Sequence, residues 1–270
     1  MTVSVIVSTY NKPDWLKKVL WGFNCQTYKD FELVIADDGS GEETHRLIDT
    51  MRAKVSYEIK HVWQEDDGFQ KCRILNKAIQ ACTAEYIIMT DGDCIPRKDF
   101  VQVHYINKEP AYFISGGYYM LPMNISSAIT LEDIEKQNCF DIKWLKELGI
   151  PKTFKNNKLK ARGFISTIFN TFTPTKASWN GHNSSGWKKD ICNVNGFDER
   201  MQYGGEDREF GERLLNFGVK SKQLRYSAVC VHLDHERGYF TPEALARNQA
   251  IRKEVRKNKS VWTNHGIVKK

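Results

Sequence analysis

Four short hydrophobic segments alternate with helix-like patterns in the first hundred residues. The β-rich runs are Val3–Val7, Phe31–Ala36, Val55–Val62 and Glu85–Thr90, and the residues between them repeat their apolar positions at helical spacing. Parallel strands need a crossover connection, which is usually a helix. The alternation therefore predicts an α/β fold with a mostly parallel, twisted central sheet flanked by helices.

Polar residues follow three of these four strands directly. They are Ser8-Thr9-Tyr10, Asp37-Asp38 and Asp91-Gly92-Asp93. Ligands on parallel sheets bind beyond the carboxyl ends of the strands. These residues therefore predict a ligand site at one edge of the sheet.

Asp91 and Asp93 are the first candidates for metal chemistry. Two carboxylates one residue apart in an extended segment project from the same side. A hard divalent cation that also binds phosphate oxygens needs such a placement. A simple strand-terminating turn is the alternative, and the other polar strand ends favour a functional site.

The second half of the chain has a less regular pattern. We expect strands at Tyr112–Tyr119 and Arg225–His232, and helices at Leu131–Leu148, Glu206–Phe217 and Glu243–Lys257. The last dozen residues are typical of a tail.

A histidine pair and an acidic pair are the further chemical signals there. His232 and His235, three residues apart, can both reach one metal ion, although an isolated pair is more often structural. Gly204-Gly205 precedes Glu206 and Asp207, which begin a predicted helix. The two acids fit equally well as ordinary acids of a helix amino terminus or as a source of one general base.

Several of these segments, taken in order, resemble the nucleotide-sugar domain of family 2 glycosyltransferases, which has the GT-A fold. A later region looks like the carboxyl-terminal galactosyltransferase-type region shared with several sugar transferases and polymerases. The matching segments are Val5–Asn11, Phe31–Ser40, Gln64–Phe69 with Arg73 and Asn76, Asp91–Asp93, Val194–Glu199 and Gly204–Leu214.

The resemblance implies a role for each matching residue. The donor nucleotide-sugar would be bound by Ser8, Thr9, Tyr10, Asp38, Arg73, Asp91, Gly92 and Asp93. Asp207 would be the catalytic base, and Glu206 would orient the acceptor. Tyr203 stands where family members usually have Trp and would contact the acceptor.

The resemblance also implies a metal shell and a division of the chain. Asp93, His232 and His235 would hold Mn²⁺ or Mg²⁺, with histidine at a position where the galactosyltransferases have methionine. A nucleotide-sugar half would span 1–107, a mixed acceptor and catalytic-base half 108–236, and a basic helical tail 237–270.

The implied activity is inverting, metal-dependent transfer of a hexose or N-acetylhexosamine. The donor would be a UDP-sugar and the acceptor a glycan or glycolipid, in the synthesis of surface polysaccharide or lipopolysaccharide. Two alternatives remain: a haloacid-dehalogenase-like phosphatase that uses Asp91 and Asp93, and a basic nucleic-acid-binding protein. No nucleic-acid-binding motif is recognisable, and the acidic first half argues against nucleic acid as a partner.

The charge is unevenly distributed. Residues 1–100 carry 13 Lys and Arg against 16 Asp and Glu, whereas residues 101–270 carry 27 against 17. Within the basic half, Lys158, Lys160 and Arg162 lead into an apolar stripe at helical spacing, formed by Ile165, Ile168, Phe169 and Phe172 with Phe164 beside it. The stripe predicts either packing on the core, which it favours slightly, or peripheral contact with an anionic membrane.

The sequence favours a cytoplasmic location. The strongest apolar run, Val3–Val7, is far shorter than the about 18 residues of a membrane span. No basic segment of a secretory signal precedes it. Seven scattered cysteines without a C-x-x-C pair fit a reducing compartment. Any membrane contact is therefore expected at the inner face.

Overall fold

A computed structural model describes residues 1–236 and 241–269. Its strands are β1 (Val3–Thr9), β2 (Phe31–Asp37), β3 (Glu58–Trp63), β4 (Tyr86–Asp91), β5 (Cys94–Pro96), β6 (Tyr112–Ser115), β7 (Gly117–Met120), β8 (Ser184–Trp187), β9 (Lys220–Gln223) and β10 (Val229–His232). Its α-helices are α1 (Pro13–Asn24), α2 (Glu42–Arg52), α3 (Lys71–Ala81), α4 (Phe100–Asn107), α5 (Met123–Ala128), α6 (Leu131–Glu135), α7 (Ile142–Glu147), α8 (Asn157–Lys160), α9 (Gly163–Phe172), α10 (Lys188–Asn193), α11 (Glu206–Asn216) and α12 (Pro242–Asn258). Among the described residues, every helix is too short or too polar to cross a lipid bilayer.

The central sheet has seven strands in the order β3-β2-β1-β4-β8-β6-β9. The first four are mutually parallel, β8 runs antiparallel to both of its neighbours, and β9 is parallel to β6. The predicted α/β fold with a mostly parallel sheet flanked by helices is confirmed. The register places Ser8 opposite Asp91, so the polar ends of β1 and β4 meet at one edge.

Both faces of the parallel strands are buried. Val5 and Val7 pack in a cluster with Leu16 and Leu20 of α1. Ile6, between them, faces the opposite layer, where α3 lies. Alternate residues of a strand point to opposite faces, so burial on both sides requires the unbroken apolar run of β1.

A second sheet, which the sequence did not predict, joins β5, β10 and β7. The expected strand Tyr112–Tyr119 is instead two strands in different sheets, separated at Gly116. A Cβ on Gly116 would overlap the Asn183 side chain, and one on Gly117 would overlap the Arg225 carbonyl. Only glycine allows the chain to change sheets here.

The expected single helix over Leu131–Leu148 is wrong, because the segment forms α6, a 3₁₀ turn and α7. Gln137 between them adopts a left-handed φ of 60°. Each helix has its own amino-terminal cap, with Thr130 and Asp133 forming a capping box before α6 and Asp141 capping α7. Two local caps favour two short helices over a continuous one.

The end of the chain packs on the core, so the expectation of a tail in the last dozen residues is wrong. Asn195 donates side-chain hydrogen bonds to the carbonyls of Thr263 and Val268, and the Glu199 N–H donates to the His265 carbonyl. These hydrogen bonds join residues that are distant in sequence, so a local sequence pattern could not predict them. Residues 237–240 and 270 of the segment predicted as a basic tail lie outside the described residues.

Candidate active site

Asp91, at the end of β4, is held by two strong hydrogen bonds. Its Oδ1 accepts from Ser8 Oγ and from Lys71 Nζ, both at 2.6 Å. Burial by itself would raise the pKa of Asp91, but the charge and hydrogen bond of Lys71 and the Ser8 hydroxyl together hold it well below the usual value. Asp91 is therefore a permanent anion.

Lys71 is a site residue that sequence reasoning missed. It is the first residue of α3, and its side chain points into the strand-end edge. Arg73, the predicted phosphate ligand, lies two positions further along the helix and therefore does not share the side of α3 from which Lys71 reaches Asp91. Its ion-pair partners are Asp67 at 3.8 Å and Glu199 at 3.9 Å. The position of Lys71 on the first turn of the helix that precedes β4 was the signal available.

Asp93 and the two predicted histidines come together. The pairing of β10 with β5 sets His232 opposite Cys94, next to Asp93. Asp93 Oδ2 lies 2.9 Å from His235 Nε2, and Asp93 Oδ1 lies 3.7 Å from His232 Nε2. The segment after β10 is fixed by a 2.8 Å hydrogen bond from the Leu233 N–H to the Asp93 carbonyl.

The donor set fits a divalent cation of the Mn²⁺ class. Asp93, Cys94 and His232 each place a potential ligand atom within 4.8 Å of the others. Burial raises the pKa of the metal-free Cys94 thiol well above its usual value. A hard cation such as Mn²⁺ prefers the Asp93 carboxylate and the imidazole nitrogens to a thiol, and it also takes phosphate oxygens as ligands. We call Ser8, Lys71, Asp91, Asp93, His232 and His235 the strand-end cluster.

Asp38 lies beside an open cavity of about 430 Å³ at the same edge, whose lining is Gln64, Glu65, Asp66, Asp67, Arg73 and Lys77. Its carboxylate accepts from the Gln70 N–H at 2.9 Å and from Gln64 Nε2 at 2.6 Å. Burial raises the pKa of Asp38 to about 6, although these hydrogen bonds oppose the rise. Tyr10 is half exposed, and its hydroxyl donates to Asp66 at 2.8 Å.

The backbones of Thr9 and Gly92 connect the carboxyl ends of β1, β2 and β4. The Thr9 carbonyl accepts from the Asp38 N–H at 3.0 Å, and the Gly92 N–H donates to the Ser8 carbonyl at 2.7 Å. A Cβ on Gly92 would press on that carbonyl and on the Thr9 hydroxyl. Glycine between the two aspartates therefore lets β1 and β4 approach closely.

Glu206 and Asp207 begin α11 and form what we call the helix-end pair. The Gly204-Gly205 turn before them has φ of 114° and 96°, which favours glycine. Glu206 accepts from the Gly204 N–H at 2.9 Å, and Asp207 accepts from the Gly181 N–H at 3.2 Å. Burial and the neighbouring Asp207 raise the pKa of Glu206 to about 7, and burial also raises the pKa of Asp207.

Lys71 links the two groups of carboxylates electrostatically. Burial lowers its pKa, but Asp91 and Glu206 outweigh that effect, and the ammonium stays charged. The Gly181 segment completes the link, because a Cβ on Gly181 would contact Lys71 Nζ while its N–H binds Asp207. The strand-end cluster and the helix-end pair therefore lie on either side of Lys71, and we call the region that they border the cleft.

Tyr203 and His182 complete the described cleft. Tyr203 packs edge to face on Phe69, with ring centroids 6.0 Å apart. His182 was missed because it lies in a segment rich in Gly, Asn and Ser and belongs to no recognisable motif. Burial lowers the pKa of His182 to about 4, so it is neutral. Its ring lies 4.5 Å from Tyr118 and 6.4 Å from His232 between centroids.

Two family models match the chain. Glycosyl transferase family 2 matches residues 4–168, and the N-terminal domain of galactosyltransferase matches residues 170–236. The first covers the strand-end edge through Asp93, and the second covers the helix-end pair and both histidines of the strand-end cluster.

Curated relatives are similar over most of this chain but are longer. Chondroitin synthase of Escherichia coli is 28% identical over 85% of this chain and 34% of its own length. Hyaluronan synthase of Pasteurella multocida is 26% identical over 82% of this chain and 24% of its own length. The chain thus spans a quarter to a third of these relatives.

Solved structures share the fold. Staphylococcus aureus TarS 1–349 in complex with UDP-GlcNAc superposes with a TM-score of 0.61 at 17% identity, covering 93% of this chain and 65% of that one. The mannosyltransferase PcManGT of Pyrobaculum calidifontis, in complex with GDP-Man and Mn²⁺, gives a TM-score of 0.58 at 18% identity, covering 88% and 58%.

Proposed function

This chain belongs to glycosyl transferase family 2 and has the GT-A fold, and we propose that it is an inverting, metal-dependent transferase. Its donor is a UDP-sugar carrying a hexose or N-acetylhexosamine, and its acceptor is a glycan. Because the enzyme is a glycosyltransferase, the phosphatase and nucleic-acid alternatives are not retained. One observation carries the proposal: Lys71 lies between the strand-end cluster, with its ionised Asp91 and two imidazoles, and the helix-end pair, whose carboxyl pKa values are raised.

The strand-end cluster supports the leaving-group side of the reaction. Asp93, His232 and His235 would hold Mn²⁺ or Mg²⁺, which supplies positive charge to the departing diphosphate. Lys71 adds a second charge that is already paired with Asp91 and therefore fixed in place. Asp91 contacts the ribose or the donor sugar, and Gly92 lets the diphosphate approach the backbone.

The helix-end pair supports the acceptor side. Asp207 accepts the proton of the acceptor hydroxyl as that oxygen forms a bond to the anomeric carbon. The bond from the same carbon to the UDP oxygen breaks, so a single displacement inverts the anomeric configuration. Glu206 hydrogen-bonds the acceptor, and Tyr203 offers it a ring face.

The UDP assignment rests on Asp38. Its carboxylate, which lies beside the cavity, can accept a hydrogen bond from the uracil N–H, with Ser8, Thr9 and Tyr10 alongside. The pKa of about 6 leaves the carboxylate ionised at neutral pH. Arg73 stays a predicted phosphate ligand, although its present partners are Asp67 and Glu199.

A polysaccharide acceptor is supported by the chondroitin and hyaluronan synthases among the relatives. We extend the proposal to glycolipid acceptors and to surface polysaccharide or lipopolysaccharide synthesis.

The test is UDP release from a panel of UDP-sugars, with Mn²⁺ or Mg²⁺ and with or without oligosaccharide acceptors. We expect metal-dependent turnover that one sugar and one acceptor class increase. Turnover that is insensitive to EDTA would contradict the metal role. Preference for a GDP- or dTDP-sugar would contradict the donor assignment.

We further propose that α9 contacts an anionic membrane. Phe164, Ile165 and Phe172 are 79%, 57% and 80% exposed, and Phe154 beside them is 69% exposed. The expected packing of the stripe on the core is therefore wrong for most of its members, although Phe169 does pack on Tyr226 with centroids 5.1 Å apart.

The basic rim of this surface differs from the predicted one. Lys158 is buried and donates to the Tyr118 carbonyl at 2.8 Å, so it is unavailable to a lipid surface. Lys155, Lys160 and Arg162, which precede α9 in the sequence, are exposed. Exposed apolar side chains preceded by exposed cations match the interface of an anionic bilayer.

Cosedimentation with phosphatidylglycerol vesicles tests this surface. Phe164→Ser/Phe172→Ser should abolish binding, and Ile106→Ser, an equally exposed position on α4, should preserve it. Salt should weaken the wild-type interaction. Equal binding to neutral vesicles, or none to either kind, would reject the membrane contact without affecting the proposed transfer reaction.

A further inference from the structure

A second cluster of metal-ligating side chains lies outside the cleft, on the far strands of the parallel sheet. Asp37 ends β2, His61 lies on β3, and His45 lies on α2. One ligand atom from each lies within 4.8 Å of the other two. None of these three residues belongs to the strand-end cluster or the helix-end pair.

We propose that Asp37, His45 and His61 form a binding site for a borderline transition-metal ion such as Zn²⁺. The chemistry is that of two imidazoles and one carboxylate, a set typical of Zn²⁺ and unsuited to Mg²⁺. Donor atoms round a tetrahedral Zn²⁺ stand about 3.3 Å apart, so the three groups need only small side-chain movements. Solvent water is the fourth ligand.

The carboxylate is already oriented for this role. Asp37 is fully buried, and its Oδ1 accepts from the Ser40 N–H at 2.8 Å. Its Oδ2 is turned toward His61, with the Nε2 atom 2.9 Å away. A hydrogen bond that fixes one oxygen while the other faces the metal is the usual outer-shell support of a metal site.

The imidazoles are packed yet reachable from solvent. His45 and His61 meet edge to face with centroids 4.8 Å apart, and Trp63 packs on His45 at 5.8 Å. Both histidines are partly exposed, which leaves an entry path. The Trp63 indole N–H donates to the Ser40 carbonyl at 3.1 Å, so the ring also supports the turn that Asp37 caps.

The site adjoins the proposed nucleotide pocket. Asp38 follows Asp37 directly, and the Asp37-to-Ser40 turn carries it toward the cavity. A metal ion on Asp37 would cross-link β2, β3 and α2 behind that turn and stiffen it. Zn²⁺ would thus act on donor binding from outside the cleft.

The test is Zn²⁺ binding to the full chain, stripped with EDTA and titrated against a chromophoric chelator. His232→Ala/His235→Ala serves as the background, because the strand-end cluster can also take Zn²⁺. We expect one saturable Zn²⁺ in this background, not displaced by excess Mg²⁺. Adding His45→Ala should weaken it at least tenfold, whereas adding His265→Ala should not.

His45→Ala leaves the hydrogen bond between Asp37 and His61 in place, so we expect the variant to fold. Circular dichroism of the metal-free proteins checks this. His61→Ala, added to the same background, is the second variant. Zn²⁺ in hundredfold excess over its Kd should raise the background Tm by roughly 5 °C, and a tenfold weaker site in the His45→Ala form should give only about half of that rise at the same Zn²⁺ concentration. No saturable Zn²⁺ in the background, or equal affinity with and without His45, would overturn the proposal. Neither readout uses catalytic activity.

Discussion

The strand-end cluster and the helix-end pair hold their carboxylates in opposite electrostatic states. Asp91 lies against Lys71 and the Ser8 hydroxyl, which keep its pKa low. Glu206 and Asp207 lie against each other and against backbone N–H groups, and burial raises the pKa of both. Environments that separate pKa values in this way support the proposed roles of a fixed anion at Asp91 and a proton acceptor at Asp207.

The largest expected effect is at the proton acceptor. Asp207→Asn should reduce turnover by about 10²–10⁴-fold because the amide cannot take the acceptor proton. Steady-state UDP release with acceptor measures it. Glu212→Gln, on the same helix but paired with Arg252, is the matched control. If Asp207→Asn turns over at the wild-type rate, Asp207 is not the base, and Glu206 or another group takes that role.

The next effect is at the metal. Asp93→Asn should lower activity by about 10²–10³-fold, because a ligand charge facing the developing diphosphate is lost. A Mn²⁺ titration of turnover should show a raised requirement for the ion. Glu85→Gln, just before β4, should behave as wild type. His232→Ala and His235→Ala should weaken metal affinity unequally, and no effect from either would refute the nitrogen ligands.

A smaller effect is expected at the cation between the two groups. Lys71→Met should reduce turnover by about 10–100-fold. Lys71 lowers the pKa values of Asp91, Glu206 and Asp207, so its removal should shift the acidic limb of the pH–rate profile upward. Lys17→Met, exposed on α1, is the control. If Lys71→Met reduces turnover but does not shift the acidic limb of the pH–rate profile, the role of Lys71 is purely structural.

The smallest effect concerns stability. The folded pKa of Glu206, about 7, exceeds its ordinary 4.5, so the protonated carboxyl stabilises the fold at low pH. That contribution is lost as pH rises from 4.5 through 7. The free energy of unfolding of Glu206→Gln, compared with that of wild type, should therefore be more favourable at pH 8 than at pH 5. The change in this difference between the two pH values should be on the order of 1 kcal/mol. Urea unfolding at both pH values measures it, and a pH-independent difference would refute the raised pKa.

The two halves of the molecule also differ in how much of their structure could be predicted from the sequence. The strands β1, β2 and β4 and their polar ends were predictable, because burial on both faces leaves an unbroken apolar run. Asp91 and Asp93 therefore fell where expected. The small sheet was not predictable, because β5 has only three residues and β10, which pairs with both β5 and β7, is distant from them in sequence.

Side-chain partnerships were harder still. The pairing of Lys71 with Asp91 joins residues 20 positions apart in sequence, and the contact of Asp207 with the Gly181 N–H spans 26. Helical spacing predicted the α9 stripe but not the face it presents, because that depends on what packs beside it. Such contacts are set by tertiary packing and leave no periodic signal.

In the proposed mechanism, metal and nucleotide bind at the strand-end cluster and the helix-end pair acts on the acceptor. Calorimetric titration of UDP into wild type, Asp93→Asn and Asp207→Asn, each with and without Mn²⁺, separates these two roles. We expect Mn²⁺ to strengthen UDP binding equally in wild type and Asp207→Asn, and we expect Asp93→Asn to lose this enhancement. Loss of UDP affinity in Asp207→Asn, or an undiminished Mn²⁺ effect in Asp93→Asn, would contradict this mechanism.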